Sequence, residues 1–174
     1  EVKISKETID DFEGMQEVYY RSWLDTYPNE EFGITKEAIE ERFKNRLSPE
    51  RKAKYLKYME TEHPNVLDLI AKIDGQVVGL ASFTKREEYN ELQRIYIHPD
   101  YYRKGIGRKL WEEGYRFLGK DKKVIVKLAE YNDRAKAFYE SLGFKDNGIR
   151  EPIQDHLGGL FGNKVQEIVM ELIF

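Results

Sequence analysis

The stretch with the most chemical content runs Leu92-Gln-Arg-Ile-Tyr-Ile-His-Pro-Asp-Tyr-Tyr-Arg-Lys-Gly-Ile-Gly-Arg-Lys-Leu110. An apolar run passes into a short loop with two glycines and then into a helical pattern. Successive backbone N–H groups in such a loop can form a concave nest for an anion. The free N–H groups and positive end of the following helix add to it. Gly105 and Gly107 would let a phosphate approach the backbone closely, and Arg103, Lys104, Arg108 and Lys109 place cations nearby. The chemistry indicated is pyrophosphate binding. The loop lacks the Gly-Lys-Ser/Thr of a Walker loop and the third glycine of a dinucleotide fingerprint. Taken alone, Gly-x-Gly reads equally well as an ordinary turn beside a solvated basic face.

The elements around this loop follow from period and punctuation. Thr8-x-x-Asp11 resembles a capping box, and behind it Ile9, Phe12, Met15, Tyr19 and Trp23 recur at helical spacing. Thr35 caps a second helix carrying Ile39, Phe43 and Leu47. Ser48-Pro49 starts a third, with Leu56 and Met59 on its apolar side. The period then changes. Leu67–Ile73 and Gln76–Thr84 are strand-like around Asp74-Gly75, a hairpin turn that needs positive φ at both positions. Glu91–Ile97 is a strand, Gly105 onward a helix, Lys123–Leu128 a strand, Asp133–Leu142 a helix and Gln166–Ile173 a last strand. This order predicts one α/β (mixed α+β) domain over residues 1–174, a mixed sheet with a parallel pair flanked by helices.

The loop resembles the acetyl-CoA motif Gln/Arg-x-x-Gly-x-Gly/Ala of the GNAT N-acetyltransferases, here Tyr102-Arg-Lys-Gly105-Ile-Gly107. Tyr102 departs from the Gln or Arg of its first position, which changes a side-chain contact but leaves the backbone cradle. The family's second motif is Asn-x-x-Ala-x-x-Phe-Tyr-x-x-x-Gly-Phe. It matches Asn132-Asp-Arg-Ala135-Lys-Ala-Phe138-Tyr139-Glu-Ser-Leu-Gly143-Phe144. The resemblance covers Leu67 to Phe174 well and the helical residues 1–64 loosely. Within the family, Glu91-Leu-x-Arg-Ile-Tyr-Ile97 and the acidic, aromatic N-terminal half look closest to enzymes acetylating polyamines and similar small amines.

The resemblance implies acetyl-CoA as co-substrate, no metal, and a fold whose central strands splay around the cofactor. Residues 67–174 would form the acetyl-CoA core and residues 1–64 the acceptor side. Ile95, Tyr96 and Ile97 would offer backbone groups to the acetyl and pantetheine arm. Tyr102, Arg103, Lys104, Gly105, Ile106, Gly107 and Arg108 would hold the pyrophosphate. Asn132 would bond the pantetheine arm, although Asn before Asp-Arg-Ala is also a good helix cap. Tyr139 would protonate the departing thiolate, or else be a buried helix aromatic. A general base is needed because a protonated amine cannot attack. Glu91, eleven positions ahead of Tyr102, is the first candidate, with a surface strand residue beside Glu87 and Glu88 or a water chain as alternatives.

Composition narrows the rest. The chain has 174 residues, 40% hydrophobic and 35% charged, with no cysteine and a formal net charge of -3. That excludes disulfides, a Cys nucleophile and thiolate metal sites. It disfavours nucleic acid as a partner and favours a cationic amine or peptide acceptor. The apolar runs are too short to span a membrane. The chain opens at Glu1 with no basic leader before an apolar segment, so a cytoplasmic location is expected. His63, His98 and His156 are scattered, unlike metal ligands. Tyr19, Tyr20, Trp23 and Tyr27 could wall an amine site, with core packing accounting for at least half of them. The C-terminal strand could mediate a homodimer. A CoA-binding module without turnover and a protein-interaction domain using the N-terminal helices remain as other readings.

Overall fold

The computed structural model describes residues 1–153 and 159–174. Among these residues the strands are β1 (Val2–Lys6), β2 (Val66–Ile73), β3 (Gln76–Lys85), β4 (Asn90–Ile97), β5 (Val124–Ala129), β6 (Lys145–Pro152) and β7 (Gln166–Leu172). The α-helices are α1 (Phe12–Thr26), α2 (Lys36–Phe43), α3 (Pro49–Glu60), α4 (Ile106–Leu118) and α5 (Asp133–Ser141). One mixed sheet has the order β1-β2-β3-β4-β5-β7-β6. Its single parallel pair is β4 with β5, the product of the β4–α4–β5 connection.

The local chemistry explains the boundaries. Asp74 and Gly75 take φ of 49° and 79°, as a tight hairpin between β2 and β3 requires. Thr35 accepts a hydrogen bond from Ala38 N at 3.0 Å, and Ser48 accepts from Arg51 N at 3.3 Å with Pro49 in the first helical turn. The Thr8–Asp11 capping box forms, but it opens a 3-10 turn over Ile9–Asp11, and α1 begins at Phe12.

Both faces of the sheet are covered around β2 and β3, so β3 is buried from Val77 to Thr84 and carries no alternation. On one face α4 buries Ile106, Leu110, Trp111, Gly114 and Leu118 against Ala71, Phe83 and Leu92. On the other, α1 buries Met15 and Val18 against Ile70, Val77 and Leu80. A third cluster joins α1 and α2 to the end of β5 through Trp23, Tyr27, Ile39 and Ala129.

Two strands escape the sequence patterns. β1 offers only Val2 and Ile4 and is an edge strand. β6 is almost wholly exposed, and pairing with β7 defines it despite a register break between Asp146 and Arg150. Because β6 takes the outer edge, β7 lies between β5 and β6 with both edges paired. The C-terminal strand is therefore not open for edge-to-edge pairing with a second copy. The third helix also differs from its reading. Leu56 is exposed, and Tyr55 and Tyr58 face inward: Tyr55 packs on Phe12, and the Tyr58 hydroxyl donates to Asp68 at 2.6 Å. Leu47 is likewise exposed.

Gly114 sets the distance between α4 and the sheet. A Cβ placed there would stand 2.1 Å from the Phe83 ring. In an ordinary helix Gly→Ala gains up to about 1 kcal/mol. Here the overpacking reverses the sign, and Gly114→Ala is expected to destabilise the protein by about 1–3 kcal/mol. Thermal or urea unfolding checks this; a gain in stability would refute the close approach.

Candidate active site

β4 and β5 pair at only two positions, Asn90 with Val124 and Glu91 with Ile125, and then diverge. Each strand remains anchored on its outer side: β4 pairs with β3 as far as Ile97, and β5 pairs with β7 as far as Ala129. The closed end is pinned by Asn90, whose N–H donates to Lys123 O at 2.9 Å and whose Nδ2 donates to Leu118 O at 3.2 Å. The open part is a cavity of about 510 Å³. Its walls are β4 from Gln93 to Ile97, Lys127 and Leu128 of β5, the loop after β4, the first turns of α5, and the last two turns of α1.

Most of the residues expected to bind a cofactor meet there. Ile95, Tyr96, Ile97, Tyr102, Arg103, Gly105, Ile106, Gly107, Arg108, Asn132 and Tyr139 all line the cavity. The loop is a nest: Arg103 and Gly105 have φ of 64° and 74° on either side of Lys104, and Gly105 is the N-cap of α4. Space above Gly105 is open, with no atom within 4 Å of a Cβ built there. This geometry and the arginines beside it suit a pyrophosphate. One detail differs from the expectation. Lys104 is exposed and absent from the cavity wall. Gly107 lines the cavity and also packs closely on α5, since a Cβ there would meet the Phe138 ring at 3.1 Å.

α5 brings the second motif to the same cavity. Asn132 caps the helix, its Oδ1 accepting from Ala135 N at 3.2 Å, and it also lines the cavity, so both readings of this residue coexist. Tyr139 is 5% exposed and faces the cavity from within the core. Burial, with Tyr96 close by, holds its phenol well above the ordinary tyrosine value, so it stays protonated.

Glu91 stands apart. It is the last β4 residue paired with β5, it does not line the cavity, and its Oε1 accepts from Arg86 Nε at 2.7 Å. Of the four N-terminal aromatics only Tyr27 lines the cavity. Tyr19 packs edge-on against Tyr96, Tyr20 lies under Arg46, and Trp23 is enclosed by Tyr27, Phe43 and Phe161. His63 stacks on Tyr58, and His98 Nδ1 accepts from Asp100 N at 3.1 Å. His156 lies outside the described residues. Among the described residues no cluster of His, Cys, Asp or Glu has metal-site geometry.

Arg94, quoted in the sequence only within strings such as Glu91–Ile97, and Lys127 and Arg134, which carried no expectation, line the cavity as well. Arg94 donates to the Tyr19 hydroxyl at 3.0 Å. Near it, burial and the neighbouring Asp68 push the Glu7 carboxyl up to about 7, against the lowering effect of Arg94. Arg134 sits inside the second motif at a position the motif leaves open. Its only signal was its closeness in sequence to Asn132, which puts it at the same end of α5.

A mixed sheet with its parallel pair prised apart, a nest at the mouth of the gap and a buried phenol inside it define an acyl-CoA-type transferase site. The Acetyltransferase (GNAT) family model matches residues 15–144, and the chain belongs to that family. Spermidine N(1)-acetyltransferase of Thermoplasma acidophilum is 30% identical over 149 residues, covering 83% of this chain and 88% of the relative. The chain spans only 21% of UPF0157 protein YqkA of Bacillus subtilis, at 35% identity over 72 residues. Among solved structures, the PaiA N-acetyltransferase of T. acidophilum in complex with coenzyme A has a TM-score of 0.73 at 24% identity. That match covers 100% of this chain and 99% of the other. The ribosomal-protein-S18-alanine N-acetyltransferase of Escherichia coli has a TM-score of 0.66 at 20% identity, covering 99% and 93%. These likenesses share the fold described above. No helix among the described residues is long and apolar enough to cross a membrane.

The open space at Gly105 makes a sharp test of the nest. Gly105→Glu would put a carboxylate into it and strain a left-handed backbone position, so CoA binding should be lost. Lys104→Ala should bind CoA as the parent does. Isothermal titration of both folded variants checks this, and retained affinity in Gly105→Glu would remove the loop from the site.

Proposed function

We propose that this chain transfers the acetyl group of acetyl-CoA to a primary amine of a small, cationic acceptor or of a peptide. The observation that carries the proposal is the cavity between β4 and β5, which joins a backbone nest to a buried, protonated Tyr139. The thioester of acetyl-CoA brings its own activation, and the protein supplies placement and proton handling. In this reading the nest from Arg103 to Arg108 holds the pyrophosphate. The edge of β4 left unpaired beyond Glu91 faces the pantetheine amides along Ile95–Ile97. The Nδ2 end of Asn132, whose Oδ1 serves the helix cap, meets the same arm.

Attack by a neutral amine gives a tetrahedral intermediate, which collapses as the sulfur leaves. Tyr139 holds a proton for that sulfur and gives it up as the C–S bond breaks. The amine nitrogen loses its proton in the same sequence. That proton restores the Tyr139 phenol, so that amine and thioester become amide and thiol. Glu91 is proposed, across water, as the base that makes the amine neutral before attack, its backbone lying at the closed end of the gap. The leaning toward a cationic acceptor is supported by the net charge of -3 and by a relative whose name specifies spermidine.

Tyr139→Phe keeps the ring and its packing. It is expected to leave stability and acetyl-CoA affinity near parental values and to lower turnover about 100-fold. Steady-state kinetics with direct titration separates these, and parental turnover in the variant would remove Tyr139 from the chemistry. Because burial raises the phenol pKa, the pH profile of the parent should rise as the acceptor amine deprotonates. It should then show no falling limb from Tyr139 up to about pH 10, the ordinary tyrosine value. Thiol release over a panel of polyamines, amino sugars, amino acids and peptides, with mass spectrometry of products, tests the acceptor class. Turnover of neutral or anionic amines alone would overturn the cationic assignment, and none with any amine would leave a CoA-binding module.

A further inference from the structure

At the mouth of the cavity three elements meet in one polar cluster. Arg134, in the first turn of α5, donates from Nη1 to Asp25 Oδ2 at 2.8 Å. Its guanidinium lies over the Tyr102 ring, 4.2 Å from the centroid. The Tyr102 hydroxyl donates to the same Asp25 oxygen at 3.1 Å. Tyr102 and Arg134 line the cavity, whereas Asp25, near the C-terminal end of α1, does not.

Tyr102 comes directly before the nest. A phenol brings no charge to a phosphate, and this one is already committed to Asp25. Arg134 brings a charge to that place from another element. Stacking on the Tyr102 ring fixes the plane of the guanidinium, which leaves less rotamer freedom to lose on binding. A guanidinium carries five N–H donors, so the contact with one carboxylate oxygen leaves several for a second anion. The Arg134 side chain remains 60% exposed, and an ion pair at that exposure is weak enough to be rearranged. Lys104, within the loop itself, is exposed and does not line the cavity.

We propose that Arg134 is a side-chain cation that binds the pyrophosphate of CoA alongside Arg103 and Arg108 of the loop, supplying from α5 the charge that Tyr102 does not supply at the head of the loop. Tyr102 and Asp25 are its positioning residues. A guanidinium can take two phosphate oxygens at once, so α5 would contribute to both ends of the co-substrate: Arg134 at the phosphates and Tyr139 at the sulfur. The inference rests on the acetyl-CoA reading above.

The test compares CoA with pantetheine, which has the thiol arm but no phosphate, by isothermal titration. The parent should bind CoA much more tightly than pantetheine; equal affinities would overturn the phosphate reading of the nest itself. Given that difference, Arg134→Ala should lose about tenfold in CoA affinity, leave pantetheine unchanged, and make CoA binding less sensitive to salt. Asp25→Asn, which keeps an acceptor for Arg134 but removes the charge facing the phosphates, should bind CoA at least as well as the parent. Adding Tyr102→Arg to Arg134→Ala should recover most of the lost affinity. The inference is overturned if Arg134→Ala leaves CoA binding unchanged, or weakens CoA and pantetheine equally. It is also overturned if Asp25→Asn costs as much as Arg134→Ala, because the cluster is then only a strut between α1 and α5. Failure of the folded double variant to recover would equally remove the substitution of Arg134 for the loop position.

Discussion

A backbone N–H or C=O inside a protein needs a partner, and a strand edge left unpaired within a sheet leaves a row of them. In this fold that constraint falls on the inner edges of β4 and β5. They share two paired positions and then separate, so every group beyond Glu91 and Ile125 on those edges must find water or a ligand. An extended chain with its own amide groups, such as a pantetheine arm, is a natural occupant. The rest of the molecule is arranged so that the gap can exist without collapsing.

Two features keep it open. Each strand is tied along its outer side, β4 to β3 and β5 to β7, so neither is free to swing across. The closed end is fixed from both sides of the backbone by buried Asn90, which joins the start of β4 to the end of α4 and to Lys123. α4 in turn lies tight on the sheet because Gly114 admits the Phe83 ring. The N-terminal turn of the same helix holds the nest, and Gly107 in that turn receives Phe138 of α5. The position of the nest relative to Tyr139 is thus set by two aromatic rings seated against glycines.

Much of this was legible in the sequence. The hairpin at Asp74-Gly75, the strand–nest–helix order and the β4–α4–β5 crossover all follow from period and turn chemistry, because local sterics decide them. The expected splay of Glu91–Ile97 from Lys123–Leu128 is present. β6 was not legible: its residues are nearly all exposed, so no apolar alternation marks it, and only pairing with β7 makes it a strand. In the site, the turn at Gly105 could be read, but the close packing of Phe138 on Gly107 could not, since a glycine that admits a ring looks the same as one in an open loop. Arg134 was hidden for a similar reason. A charged residue on the first turn of a helix reads as solvated until the fold brings Asp25, 109 positions away in sequence, to its side.

The two ends of the cavity meet opposite physical requirements, and α5 reconciles them. A phosphate site must be open and cationic, because a buried pyrophosphate would lose more hydration than the nest returns. The phenol has a different situation: it is already neutral near pH 7 in water, and burial raises its pKa further, so that it keeps its proton until a strong base develops beside it. Tyr139 reaches that state by burial, and Tyr27, which also faces the cavity, is raised in the same way. The nine-residue helix α5 is capped by Asn132 at the mouth and carries Tyr139 in the core. Its length thereby fixes the separation between the wet, charged end and the dry, neutral one. In the proposed reading, a co-substrate spanning this distance would meet Arg134 and Tyr139 on one rigid helix and the nest at the start of another.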